Sequence, residues 1–252
     1  MSVLEVKNLT HTYSGNTPFV NDAVSNVSFT VEKGEILGII GHTGSGKSTL
    51  VHMIPRFYDA TEGEVKVNGI NVKNYSKKDI RSLVGIVMQK AVLFNGTIRE
   101  NMQWGKNDAG DDEIFEALEN AQAKEFVMEK EGLLDYRIAQ GGRNLSGGQR
   151  QRLTNARALV KKPEILILDD SSSALDYATD AKLRKAISGM DGKITTFIVS
   201  QRTASLKNAD RIIVLEDGEI AGIGTHKELI ENCDVYKEIY GTDSNSAAGG
   251  AG

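Results

Sequence analysis

The chain has 252 residues, 40% hydrophobic and 25% charged, which is enough for one large globular domain or a core carrying a subdomain. A net charge of −4 and an isoelectric point near 5.7 exclude a global basic field for collecting nucleic acid. The single cysteine, Cys233, excludes an internal disulfide framework and fits a reducing compartment. No apolar run reaches the ~18 residues of a membrane span, and MSVLEVKN is no signal peptide. The chain is therefore expected to stay out of the bilayer, while remaining able to dock on something that enters it.

In chain order, VLEVKNL alternates like a half-buried strand, and NVSFTV at 26–31 does the same. ILGII, VGIVM, EILILDD, TTFIVS and RIIVLED are continuous apolar runs, the pattern of strands covered on both faces. KSTLVHMI, DEIFEALENAQAKEFVMEK, SGGQRQRLTNARALVKK and DYATDAKLRKAI read as helices between them, with breaks marked by Pro163 and Gly192. Strands alternating with helices predict an α/β fold with a mainly parallel sheet. Residues 97–160 are mostly helical in pattern and lack a clear strand, so they are predicted to form a helical subdomain inserted into the sheet. DAGDDE at 108–113 reads as a solvated helix start. The domain is expected to span 1–243, with SNSAAGGAG at 244–252 a flexible tail outside it.

Gly41 to Thr49 read GHTGSGKST, after an apolar strand and before a helical pattern. This is G-x-x-x-x-G-K-[ST] in its required strand–loop–helix context. Residues Gly41, His42, Thr43, Gly44, Ser45 and Gly46 would turn backbone N–H groups inward around phosphate oxygens. Lys47 can span the β- and γ-phosphates, the Ser48 hydroxyl can ligate Mg²⁺, and Thr49 closes the motif. Asp169 ends a buried strand, where its carboxylate can hold Mg²⁺ through water; the competing reading is an acid capping the next segment. Gln89, directly after VGIVM, offers an amide oxygen to the metal or to an attacking water, or else is polar surface.

Leu145 to Arg152 read LSGGQRQR. Ser146 is a natural N-cap, and Gly147 and Gly148 expose the first N–H groups of a helix, with Gln149 beside them. This second anion site would be redundant in one compact chain. Two chains head to tail, each holding nucleotide between its own loop and the other's Ser-Gly-Gly, resolve the redundancy.

GHTGSGKST, GIVMQ, LSGGQ, ILILDD and SALD, in this order and spacing, resemble the nucleotide-binding domain of an ATP-binding cassette (ABC) transporter over residues 3–240. The resemblance implies a P-loop NTPase, RecA-like core with an antiparallel β subdomain and the inserted helical subdomain. It also implies a cassette that dimerises around two Mg·ATP and drives a transmembrane partner at the cytoplasmic face of the membrane. Tyr13 falls where the family keeps an aromatic that stacks on adenine, although core packing is the alternative. PRFYDATEGEVKVNGINV, QKAVLFNGTIRENMQWG and GIGTHKELI are similar to exporter cassettes. The opening NLTHTYSGNTPF is similar to the ATPase subunits of energy-coupling-factor vitamin importers.

Two positions of the hydrolytic step depart from the family pattern. Its catalytic glutamate is Asp170 here, one methylene shorter, and its Ser-His-Arg is Ser200-Gln201-Arg202. None of the histidines, at 11, 42, 52 and 226, can fill that second position. Gln201 can donate a hydrogen bond to a γ-phosphate but cannot carry charge or shuttle a proton. Both departures fall on hydrolysis and spare the binding residues, so the expectation is a slow site in the degenerate half of a heterodimeric exporter. SALD, Ser173 to Asp176, resembles the segment that crosses the dimer interface. RIAQGGRN resembles a segment that senses the membrane domain, with Gln140 replacing the family's glutamate; for both segments the alternative is a polar loop. A stand-alone ATPase subunit of an energy-coupling-factor vitamin importer, a catalytically silent regulatory module and a non-transport assembly or DNA-repair cassette are the competing functions.

Overall fold

The computed structural model describes residues 2–13, 21–171, 174–190 and 194–248. The chain forms two compact units, one built from Met1–Arg81 with Thr195–Gly252, the other from Ser82–Ile194. Gly192 and Ser173 lie outside the described residues.

The chain begins with the antiparallel strands β1 (Ser2–Tyr13) and β2 (Asn21–Glu32), both longer than the alternation alone marks. Strand β1 buries Val3, Leu4, Val6 and Leu9, and shifts in register where it passes Leu9 and His11. Strand β3 (Ile36–Ile40) leads through the glycine-rich loop into helix α1 (Lys47–His52). Next come β4 (Glu62–Val67), β5 (Ile70–Asn71) and helix α2 (Lys77–Leu83). Strands β2, β1, β4 and β5 pair in that order as an antiparallel sheet, the expected β subdomain.

The second unit opens with β6 (Val84–Val87), then β7 (Gly96–Thr97) and α3 (Ile98–Gln103). Helices α4 (Asp111–Asn120) and α5 (Lys124–Met128) follow, then β8 (Arg137–Ile138), α6 (Gly147–Leu159), β9 (Ile165–Asp169) and α7 (Tyr177–Ser188). Two sequence expectations are corrected here. The region from 97 to 160 is not strand-free, because β7 and β8 pair antiparallel, Gly96 with Ile138 and Thr97 with Arg137. The stretch DEIFEALENAQAKEFVMEK is two helices, not one. Gln122, at φ 58°, ends α4: its N–H donates to the Glu119 carbonyl at 2.9 Å and that of Ala123 to the Leu118 carbonyl at 2.7 Å. This is the paired closure of a Schellman turn, made here without glycine.

The chain then returns to the first unit with β10 (Thr195–Val199), β11 (Arg211–Glu216) and β12 (Glu219–Gly224), and ends in α8 (His226–Asn232) and α9 (Asp234–Ala248). Strands β10 and β11 flank β3 in parallel, and β12 runs antiparallel at the edge of β11. In the second unit, β6 and β9 pair in parallel. The continuous apolar runs are these parallel strands, with β9, β10 and most of β11 buried. Helix α9 continues to Ala248, five residues into the segment read as a tail. Among the described residues no helix is long and apolar enough to cross a membrane. Cys233 is a buried free thiol.

Asn101 fixes the segment that follows β6. Its side chain is 1% exposed, accepts from the Phe94 N–H at 2.9 Å, and donates to the carbonyls of Phe94 (3.0 Å) and Thr97 (2.9 Å). Asn101→Ala strands those backbone groups, and denaturant unfolding should show a loss of about 2–3 kcal/mol. An unchanged midpoint would contradict this role.

Candidate functional site

The glycine-rich loop is shaped by a small set of obligatory contacts. Gly46 caps α1 at φ 91°, and a Cβ there would lie 2.0 Å from the Ala23 carbonyl oxygen. Gly44, at φ 86°, faces the other way, and a Cβ on it would meet nothing within 4 Å. Inside the turn, the Lys47 ammonium donates to the carbonyls of Gly41 (2.7 Å) and His42 (2.6 Å) and to Ser45 Oγ (3.2 Å). Lys47 and Ser45 are buried, whereas His42, Thr43 and Gly44 are exposed. A loop with its cation at the centre and bare glycine backbone toward solvent fits a polyphosphate.

Parallel pairing delivers further predicted residues to the same sheet edge. Val199 pairs with Ile39, so Gln201 leaves β10 at the end of the sheet where Gly41 leaves β3. The Ser200 N–H donates to the Ile39 carbonyl at 3.1 Å, and Gln201 is exposed. Tyr13 is 37% exposed, and its hydroxyl lies 3.2 Å from the Thr49 Oγ1. The structure thus places Tyr13 against the phosphate loop despite the long intervening sequence.

In the second unit, Val87 pairs with Leu168, so Gln89 and Asp170 emerge side by side from β6 and β9. The Gln89 Nε2 donates to Asp170 Oδ2 at 3.0 Å. An ionised carboxylate only accepts, so the amide turns its nitrogen to Asp170 and leaves its oxygen for another partner. Asp169 is 3% exposed at the end of β9. Asp170 follows it at φ 46°, a left-handed conformation that Asp tolerates better than most residues. Ser146 caps α6: its hydroxyl accepts from the Gln149 N–H at 3.2 Å, and the Gln149 side chain accepts from the Ser146 N–H at 3.0 Å. Gly147 and Gly148 occupy the first two helical positions and are half-buried. This reciprocal capping box consumes one N–H each of Ser146 and Gln149 and leaves Ser146 exposed.

The motif Ala-Leu-Asp that completes SALD ends on Asp176, the N-cap of α7. Its carboxylate accepts from the Thr179 N–H at 2.9 Å and hydroxyl at 2.7 Å, which holds Asp176 below the usual carboxylate range. Gln140 begins a short turn, Gln140–Gly142, stapled by Asn144, whose side chain accepts from the Ala139 N–H and donates to the Arg137 carbonyl, both at 2.9 Å. His11 and Tyr58 pack on Tyr13, and the sequence marks them only by their places in NLTHTY and RFYD.

Residues 24–173 match the family model described as "ABC transporter". The chain belongs to the ABC transporter family. It is 45% identical over 219 residues to YfiB, an uncharacterized ABC transporter ATP-binding protein of Bacillus subtilis (strain 168), covering 87% of this chain and 38% of that protein. A putative multidrug export ATP-binding/permease protein of Staphylococcus aureus (strain NCTC 8325 / PS 47) is 37% identical over 238 residues, covering 94% of this chain and 40% of that protein. The solved structure of a bacterial Atm1-family ABC exporter with ATP bound superposes with a TM-score of 0.89 at 31% identity, covering 96% of this chain and 42% of that one. The chain thus spans about two fifths of the length of these relatives, and its fold is that of an ABC transporter ATP-binding domain.

The two glycines of the loop make a discriminating pair. Gly44→Ala places a side chain in open space and should cost only the left-handed backbone penalty, about 1–2 kcal/mol. Gly46→Ala must in addition displace the Ala23 carbonyl and should cost clearly more. Equal losses in chemical unfolding would contradict the steric account of the loop.

Proposed function

We propose that this chain binds Mg·ATP on the loop Gly41–Thr49, powers a membrane exporter from the cytoplasmic face, and hydrolyses the nucleotide at its own loop only slowly. The observation that carries the slow-site reading is Asp170, in place of glutamate, with its carboxylate engaged by the Gln89 amide at 3.0 Å.

The roles follow from the residues. Lys47, with the N–H groups of the loop, holds the β- and γ-phosphates, and Tyr13 stacks on the adenine. Ser48 supplies a hydroxyl, Asp169 a carboxylate and Gln89 an amide oxygen to magnesium. Magnesium, when bound, neutralises charge on the phosphates. Asp170 is the acid that must orient the attacking water. General-base geometry requires heavy atoms within ~2.6–3.2 Å, and a misplacement of ~1 Å costs on the order of a hundredfold. A side chain one methylene short, already bonded to Gln89, meets that requirement poorly. Gln201 adds a neutral donor where a histidine would bring charge. Binding and hydrolysis are thereby separated: the groups that hold the triphosphate are intact, and both changes fall on the chemical step.

Ser146, Gly147, Gly148 and Gln149 then serve a second cassette domain, closing over nucleotide held on that domain's loop. The partner that fits is a heterodimer mate carrying glutamate and histidine at the two departed positions, together with a transmembrane domain. The Staphylococcus aureus export protein and the Atm1-family exporter among the relatives support export as the direction of transport.

The isolated chain should turn over ATP slowly. Mixed with a cassette domain bearing the glutamate and histidine, it should give strong ATPase activity, and Ser146→Arg in this chain should abolish the gain while leaving its own Mg·ATP binding intact. Robust activity of the isolated chain, unchanged by Asp170→Asn, would refute the slow site.

A further inference from the structure

Tyr13 does not stand alone. His11 and Tyr13 are two apart on β1, so they share a side of the strand. Their rings meet at 4.7 Å between centroids and 89° between planes. Tyr58 meets Tyr13 at 5.6 Å and 87°, and meets His11 at 5.4 Å. Perpendicular contacts at these distances are the favourable geometry of aromatic quadrupoles. The Tyr13 hydroxyl, through its hydrogen bond and charge, also holds the Tyr58 phenol above its ordinary range.

This arrangement is built from below. Arg56 takes a left-handed conformation at φ 55° and pins the turn after α1, with its guanidinium on Asp59 Oδ1 (2.7 Å) and on the carbonyls of Lys73 (3.1 Å) and Tyr75 (3.3 Å). Arg81 donates to the carbonyls of Pro55 and Arg56, each at 3.2 Å, and lies 5.1 Å over the Phe57 ring. The turn so fixed presents the Asp59 carbonyl to His11 Nδ1 at 3.1 Å and sets the Tyr58 ring beside Tyr13. His52, at the last position of α1, lies nearly parallel to Tyr58 at 28° and 6.4 Å. The helix that starts at Lys47 therefore ends on the ring that leans against Tyr13.

We propose that Tyr58 and His11 are positioning residues for Tyr13, holding its ring in the one orientation that stacks a purine carried by a triphosphate on the adjoining loop. This rests on the reading of Tyr13 as the base-stacking residue. Tyr58 and His11 act through Tyr13, so they set the base-dependent part of nucleotide affinity and leave the phosphate-dependent part alone.

The test compares Mg·ATP with Mg·tripolyphosphate, which carries the phosphates without the base, by calorimetric titration of the whole chain. Tyr58→Ala should weaken Mg·ATP about three- to tenfold, the worth of one lost aromatic pair, and leave tripolyphosphate within about twofold. Tyr58→Phe, which keeps the ring, should restore nearly all of the ATP affinity. Tyr58 is 39% exposed, so its removal opens no core; His11→Leu, which keeps bulk at the buried position, should repeat the selective loss. Unchanged ATP affinity in Tyr58→Ala and His11→Leu, or equal weakening of both ligands, overturns the proposal. The control is Tyr13→Ala: if it spares ATP affinity, the base-stacking reading itself fails, whereas a loss there with none in Tyr58→Ala sinks only the positioning role.

Discussion

A buried ammonium group governs the first unit. Lys47 is 8% exposed, and a charge so placed must be met by acceptors or it is not tolerated. The acceptors are the carbonyls of Gly41 and His42, which reach Lys47 only because the loop doubles back over it. That path needs glycine at Gly46, where a side chain would strike the Ala23 carbonyl, and at Gly41, where it would strike the Leu215 carbonyl at 2.1 Å. Gly41 therefore packs closely against the end of β11, the parallel neighbour of β3. The same parallel register carries Gln201 to the edge where the loop starts.

The second unit rests on an analogous register. Parallel pairing of β6 with β9 sets Gln89 and Asp170 together, and the amide–carboxylate bond follows from that juxtaposition. A buried aspartate, Asp169, and a half-buried Asp170 in a left-handed conformation divide the acidic pair into two different environments. Two adjacent carboxylates thus differ in what they can do, one enclosed by the strand end and the other held by a neighbouring amide. The functional reading of this chain as one that retains its nucleotide grows from that difference, and from the neutral Gln201 at a position where a base or acid would speed the chemistry.

Much of this was legible in the residues because the decisive signals are local. ILGII followed by GHTGSGKST names a strand, a loop and a helix in sequence, and Ser146 with Gln149 writes its own capping box. The continuous apolar runs are parallel strands, because a strand covered on both faces has apolar side chains at successive positions. What escaped the sequence depends on partners remote along the chain or on turns lacking their usual residue. The break at Gln122 has no glycine to announce it, and the carbonyl of Gln122 is instead anchored by Arg152 at 2.9 Å. Strands β7 and β8 have two residues each and carry no pattern. His11 meets Tyr13 from two residues away on β1, whereas Tyr58 sits on a separate segment, and its ring reaches Tyr13 through the turn that Arg56 and Arg81 hold.

The proposal that this chain hydrolyses its own bound ATP only slowly is decided most directly by following one bound nucleotide. Radiolabelled ATP and magnesium would be mixed with excess chain, free nucleotide removed, and the ATP to ADP ratio on the protein measured over time. The account predicts that the retained label stays ATP long after an Asp170→Glu, Gln201→His double variant has converted its own to ADP. Conversion at the same rate in both proteins would contradict it.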